Sequence, residues 1–587
     1  MRLAKSPLVL MAALCLPLSQ LRAEDKPAPA GIAHIRLSGD LDETPVATDA
    51  PLGNAENLRM VLDRIAKAAK DPKIRALYLE IDDLSIGFGK LAEVQRAIAD
   101  FRKSGKKVYA YCEDAGTKEY LTALSCDVAA MPESGTLMLV GLRASVTFFK
   151  GALDLLKLKA EVLKVGDYKG AVEPFVREDL SKENREQIES MLDDHFDHDL
   201  VDAMIAARPQ RKWSIDAVRK LIDGGPYTAK QAADAGLIDR VAYSESLVDQ
   251  IKKNLKAEKI QMQENYARPK KEEMDLGPLG LLKLLSPAKP KESKAPKIAV
   301  IYAVGAIESG KGGGNPLSGD SVGSTSMIEA IRQAEKDATV KAIVLRVDSP
   351  GGSALASDLI WNELVRCQKP VVASMGDVAA SGGYYISMAC RKIYAEPGTI
   401  TGSIGVFGLK LVTGGLTSWA GMKSVTIQRG QNAGIATSER GYTESERTAL
   451  TKIIKTTYDQ FIDKALAGRQ KAGAKLDRGK LLSLAGGRVW TGRQAKERGL
   501  VDELGTLDDA IGEAKQMAGI ERTKQMELLI LPRPTSFLDR LLDGDLKSPL
   551  GLSLELPGVR ETIRQVGPLL RSKDTIKAML PYKIAVK

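Results

Sequence analysis

A chain that repeats itself must fold as copies of one unit, and this sequence repeats itself over about 200 residues. IAHIRLSGDL (32–41) resembles IAVIYAVGAI (298–307), and IRALYLEIDD (74–83) resembles VKAIVLRVDS (340–349). KKVYAYCEDAGTKEYLTALSC (106–126) lines up with KPVVASMGDVAASGGYYISMAC (369–390), and YTAKQAADAGLIDRV (227–241) with WTGRQAKERGLVDEL (490–504). The spacing is steady: Gly39 to Gly305 and Asp82 to Asp348 are 266 residues apart, Cys126 to Cys390 is 264, and Asp239 to Asp502 is 263. At 587 residues the chain is also too long for a single hydrophobic core, so duplication and size agree on two domains.

Each copy alternates short β-branched apolar runs with helical patterns. In the second copy KIAVIYAVG is a strand and KAIVLRV a buried strand, and between them SMIEAIRQAEKD is a helix with Ser326 as N-cap and Glu329 three residues on. PVVASM is a third strand, and Ser381 opens the helix that follows it. Such alternation predicts an α/β fold with helices covering a largely parallel sheet.

Two glycine-rich turns in the second copy carry chemistry. DSPGG (348–352) ends one strand and AASGGYY (379–385) ends the next. Consecutive glycines let backbone N–H groups face a ligand closely, so Gly351, Gly352 and Gly382 are candidates for an oxyanion hole beside a nucleophilic Ser381. Copy one has lost this site. Thr117, Lys118 and Glu119 stand where copy two has Ser381, Gly382 and Gly383, and DLSIGFG replaces the SPGG turn.

The reverse loss lies further on. VLKVGDYKGAVEPF (162–175) aligns with TIQRGQNAGIATSE (426–439), so that Gly166 matches Gly430 and Lys169 matches Ala433. One copy keeps a lysine and the other a serine, as one composite site drawing a group from each domain requires. The whole chain has only three histidines, so a lysine is the natural base. Lysine can take a proton only when neutral, which demands burial or nearby positive charge to lower its pKa from about 10.4. The apolar setting of Lys169, among Val165, Val172, Pro174 and Phe175, suits that demand.

DSPGG, AASGGYY, TGSIGVFG (401–408) and GDYKGAVEPF, set in a duplicated chain, resemble the long, two-domain form of the bacterial signal peptide peptidase A family over roughly residues 30–520. The resemblance implies a tandem ClpP/crotonase-like fold and an exported, membrane-associated serine endopeptidase that degrades cleaved signal peptides. It places the nucleophile on Ser381 and the general base on Lys169, and implies no cofactor or metal. TGSIGVFG is then expected to line part of an apolar substrate groove. Duplicated units with composite sites favour a closed homo-oligomer, a tetramer being one such assembly. A crotonase-like acyl-CoA enzyme and a non-catalytic scaffold are the competing readings; the export signal and the Ser/Lys pair speak against the first.

The resulting map has a signal peptide or short anchor at 1–23, domains at 30–253 and 297–520, a charged linker at 254–296 and a C-terminal extension at 521–587. The apolar run from Leu8 to Leu18 is short against the roughly 20 residues of a spanning helix, which favours cleavage near Ala23. The linker is rich in Lys, Glu and Pro, and its insert LGPLGLLKLL could dock on a neighbour. Export leaves Cys112, Cys126, Cys367 and Cys390, each in an apolar stretch and read as buried thiols in preference to disulfides. The net charge of +10 is spread along the chain without arginine–aromatic interleaving, which argues against a nucleic-acid partner. His195, His198 and Asp199 share one face of a helix at metal-ligand spacing, though the same spacing is common on solvated helices.

Overall fold

A computed structural model of the protein describes residues 29–45, 56–269, 293–313, 321–533 and 576–579. The segment read as a signal peptide or anchor, the apolar linker insert and most of the C-terminal extension lie outside the described residues. Among the described residues no helix is long and apolar enough to cross a membrane.

The first copy is built on β1 (Ala30–Gly39), β2 (Ile74–Leu84), β3 (Lys107–Tyr111) and β4 (Val128–Met131), with β5 (Lys159–Val165) standing apart and β6 (Ile260–Gln263) returning to the sheet. β1 runs parallel to β2 from Gly31↔Ile74 to Gly39↔Leu84, and β3 and β4 extend the parallel order. The second copy repeats this with β7 (Lys297–Val304), β8 (Val340–Ser349), the short β9 (Gly351–Ser353), β10 (Val371–Ala380) and β11 (Lys392–Ala395). β7 pairs in parallel with β8 from Lys297↔Val340 to Val304↔Asp348, and β8 with β10. These strands are apolar on both faces because helices cover both. Ile32, Ala33, Ile35 and Leu37 of β1 are all fully buried, as are Ile298 to Ile301 of β7.

The repeat extends to single contacts. Asp239 accepts the Ala129 N–H and pairs with Arg208; Asp502 accepts the Ile393 N–H and pairs with Arg469. Thr228 with Gln231 and Thr491 with Gln494 both close capping boxes.

Several expectations are corrected. The boundaries at 253 and 520 fall short, because β6 pairs with β1 and the equivalent strand β13 (Glu527–Leu531) pairs with β7; part of the linker and of the extension is therefore sheet. Ser326 is not an N-cap. The strand Ser321–Gly323 runs straight into the helix Ser324–Lys336, so Gly323 holds the cap position and Ser326 sits in the first turn, donating to the Lys311 carbonyl. The cysteine reading, by contrast, stands: all four are buried free thiols.

A third sheet joins the copies. β5 of copy one pairs antiparallel with β12 (Val406–Val412) of copy two, from Val165↔Val406 to Lys159↔Val412. Between β12 and β9 lies β14 (Lys577–Met579). Polar groups lock the remaining interface. The Asp377 carboxylate accepts the Gly87 and Lys90 N–H groups of copy one at 2.9 and 2.8 Å. Arg346, fully buried in copy two, meets Glu43 and, at 2.9 Å, Glu93 of copy one.

Candidate active site

Strand β10 ends at Ala380, and the six-residue helix Gly382–Ser387 begins two residues later. Ser381 makes the turn with φ 55° and ψ −112°, a backbone state that L-residues avoid and that is held only by its surroundings. Its N–H donates to the Gly402 carbonyl at 2.8 Å, and its carbonyl accepts the Tyr385 N–H at 2.8 Å. A side chain on such a turn projects forward from the sheet edge. Gly383 must be small here, since a Cβ would stand 2.6 Å from the Ser349 carbonyl.

Lys169 arrives from copy one, 212 positions earlier in the chain, and its Nζ lies 2.8 Å from Ser381 Oγ. Nζ also lies 2.9 Å from Ser403 Oγ and 3.0 Å from the Ser403 carbonyl. Both members are sealed from water, Lys169 at 1% exposure and Ser381 at 0%. Burial alone pushes the Lys169 pKa well below its ordinary 10.5. The hydrogen-bond count agrees with a neutral amine. Two N–H groups can serve the two Ser403 oxygens, leaving the lone pair for the Ser381 O–H.

Glycines bring the two copies close enough. A Cβ on Gly487, whose φ is +89°, would stand 2.5 Å from Lys169 Cα. One on Gly166 would stand 2.3 Å from the Gly486 carbonyl oxygen, and one on Gly405 3.3 Å from Lys169 Cδ. The lysine loop is braced from behind. Gln187 Nε2 donates to the Tyr168 carbonyl at 3.0 Å, while its Oε1 accepts the Val489 N–H of copy two at 3.1 Å.

The three glycines assigned to an oxyanion hole lie together, with one revision. Gly351 donates its N–H to Ser349 Oγ at 3.1 Å, so its contribution is not a donor but its φ of +91°, which turns the chain into β9. The Gly382 N–H opens a helix and has no helical acceptor. Gly352 sits in β9 facing β14.

The site in copy one is closed. Lys118 lies over the Phe88 ring, 2.9 Å from its centroid, and burial lowers its pKa to about 7. Glu119 accepts the Leu84 N–H at 2.6 Å. The counterpart of Lys169 in copy two, Ala433, is exposed, although Gly166 and Gly430 keep matching φ values of +97° and +93°.

The histidine motif makes hydrogen bonds to neighbouring carboxylates. His195 Nδ1 meets Asp199 at 2.7 Å and His198 Nδ1 meets Asp202 at 2.7 Å, while Arg493 engages Asp199 at 2.8 Å. Residues His195–Asp202 form a π-helix, within which His195 and Asp199 still share a face. Among the described residues no group of three or more His, Cys, Asp or Glu is placed to hold a metal.

Sequence reasoning missed Ser403, Gly486 and Gly487. Ser403 lies inside TGSIGVFG, which was read only as groove lining, and its φ of +51° marks a second strained turn. Phe407 of the same motif is buried with Ala171, Val172 and Phe175 of copy one.

Fold and site together define a serine protease of duplicated α/β architecture. The family model described as Peptidase family S49 matches residues 100–258 and 363–521. The chain is 35% identical over 512 residues to "Serine protease SPPA, chloroplastic" of Arabidopsis thaliana, covering 86% of this chain and 72% of that one. It is 32% identical over 533 residues to "Protease 4" of Salmonella typhi (88% and 80%), and 30% identical over 470 residues to "Protease 4" of Haemophilus influenzae (78% and 72%). The chain belongs to peptidase family S49 and is an SppA-type protease.

Proposed function

We propose that the protein is an exported endopeptidase, working in the periplasm at the cytoplasmic membrane, that degrades cleaved signal peptides and similar apolar peptides with Ser381 as nucleophile and Lys169 as base. The observation that carries this reading is the 2.8 Å approach of Lys169 Nζ to Ser381 Oγ in a site closed to water. Neutral Lys169 takes the Ser381 proton as Oγ attacks a peptide carbonyl, and the oxyanion rests on the N–H groups of Gly352 and Gly382. The ammonium then protonates the leaving amine, and the same lysine activates water against the acyl-enzyme. Ser403 holds the amine in line through both of its oxygens. A serine-directed fluorophosphonate should label Ser381, and labelling should vanish in Ser381→Ala and in Lys169→Ala. Undiminished labelling of the lysine variant would remove the dyad.

The duplication also supports a homo-oligomer. β5 and β12 pair within one chain, yet their repeat counterparts, residues 423–429 and 142–148, are extended and join no strand. Val425 and Ile427 are exposed at 81% and 83%, while residues 142–148 alternate between half-buried and exposed. Pairing of 423–429 with 142–148 of a second copy repeats the β5–β12 junction between chains, and a head-to-tail contact of that kind closes into a ring. Val425→Asp combined with Ile427→Asp should then yield a monomer by sedimentation; an unchanged sedimentation coefficient would exclude this junction.

A further inference from the structure

Arg488 follows the glycine pair at which the two copies meet, and it holds both of them. Its carbonyl accepts the Ser403 N–H at 2.7 Å, which fixes the turn whose two oxygens surround Lys169 Nζ. Its side chain reaches the other way, into copy one. The guanidinium lies 4.7 Å from the ring centroid of Tyr168 and 4.5 Å from that of Trp490. It donates to Tyr168 Oη at 3.1 Å and meets Glu186 at 2.9 Å, and Tyr168 Oη donates to Glu186 at 3.1 Å. Tyr168 is the residue before Lys169. Arg488 Nε is buried and bonds to no described residue, a cost that contact with two aromatic faces offsets.

The repeat sets this cluster apart from ordinary packing. In the alignment that places Lys169 against Ala433, Tyr168 falls on Asn432, which is exposed and accepts from Ser445 Oγ at 2.8 Å. Trp490 falls on Tyr227, and the residues before it in copy one, DGGP (223–226), contain no arginine. The tyrosine therefore stands only beside the lysine, and the arginine only in the copy that faces it. Ser381 and Lys169 are divided between the copies in the same way.

We propose that Arg488 is the positioning residue of the base: it ties the loop that carries Lys169 to the turn that carries Ser403, so that the amine stays aimed at Ser381 while its charge changes. This rests on the Ser381/Lys169 reading above. Arg488 touches neither substrate nor reacting atoms and acts through Tyr168 and Ser403. When Lys169 takes the Ser381 proton it becomes an ammonium with three N–H groups. Two serve the Ser403 oxygens and the third faces Ser381 Oγ and the leaving amine. A cation in a dry site gains by moving towards water, and an untied loop would let it move. The tie to copy two opposes that movement, and the proton returns along the line on which it came.

The test compares Arg488→Ala, Tyr168→Leu and the double variant in the full chain, by hydrolysis of a fluorogenic apolar peptide across pH with thermal unfolding alongside. Arg488→Ala should lower kcat on the order of 100-fold with KM nearly unchanged, the effect of misplacing a reacting group by about 1 Å. The acidic limb of its kcat/KM profile should move to higher pH, because water reaching Nζ undoes the desolvation that lowers the lysine's pKa. The double variant should fall no further than Arg488→Ala alone, since both substitutions remove one contact. A folded Arg488→Ala with full kcat, or with a reduced kcat and an unmoved acidic limb, overturns the proposal and leaves the dyad standing. Losses that multiply in the double variant overturn it too. Should Arg488→Ala fail to fold, Arg488→Lys decides: it keeps the charge beside Glu186 but not the guanidinium plane, and full kcat with an unmoved limb overturns the role. A wild type that neither hydrolyses peptide nor takes up fluorophosphonate removes the dyad, and the role of Arg488 with it.

Discussion

Gly487→Ala tests how closely the two copies must approach. A Cβ there would stand 2.5 Å from Lys169 Cα and 2.5 Å from its N, against the roughly 3.5 Å at which carbon atoms rest in contact. The two loops must therefore part by about 1 Å, and the obstacle is backbone, which cannot swing aside as a flexible side chain would. The Lys169–Ser381 contact of 2.8 Å would open to about 3.8 Å, beyond hydrogen-bonding reach. Misplacement of that size costs on the order of 100-fold in rate. The φ of +89° adds about 1–2 kcal/mol of backbone strain, which lowers Tm by a few degrees without unfolding the chain. The assay is steady-state hydrolysis of a fluorogenic peptide, with thermal unfolding measured alongside. kcat should fall about 100-fold with KM nearly unchanged, because β9 and β12 are untouched. Full kcat in a folded Gly487→Ala protein would refute the argument that this glycine sets the lysine's position.

Ser403→Ala removes one of the oxygens around Lys169 Nζ and should lower kcat by about 1–2 kcal/mol in barrier height, roughly 5- to 30-fold, with little change in KM. The base works only when deprotonated, so kcat/KM should fall as pH drops through the Lys169 pKa, which burial places well below 10.5; a profile still rising steeply at pH 10 would contradict a buried neutral amine. Between that lowered pKa and 10.5 the unfolded chain holds a proton the folded one lacks, so stability rises with pH there. Lys169→Met should therefore be more stable than the wild type at neutral pH by thermal unfolding, with the gap closing towards pH 10.5. Glu93→Ala strips a partner from the fully buried Arg346 and should cost about 3–5 kcal/mol in chemical denaturation, with activity lost as the copies separate.

The duplication, the α/β alternation and the meeting of Ser381 with Lys169 were legible in the sequence because each leaves a local or periodic trace. Apolar runs mark strands buried on both faces, and the exchange of Ser381 for Thr117 and of Lys169 for Ala433 is visible by aligning one copy with the other. What the alignment could not supply is distance. Gly487 and Ser403 matter because they touch a lysine more than 200 positions away, and Gly486 because it meets Gly166 beside that lysine's loop; contacts of that span have no sequence period. The Gly351 N–H looked like an oxyanion donor until the fold aimed it at Ser349 Oγ. The sequence by itself paired a serine in one domain with a lysine from the other. Only the tertiary structure decided that this lysine is dry, because desolvation depends on every surface that closes over the amine, and here those surfaces come from both copies.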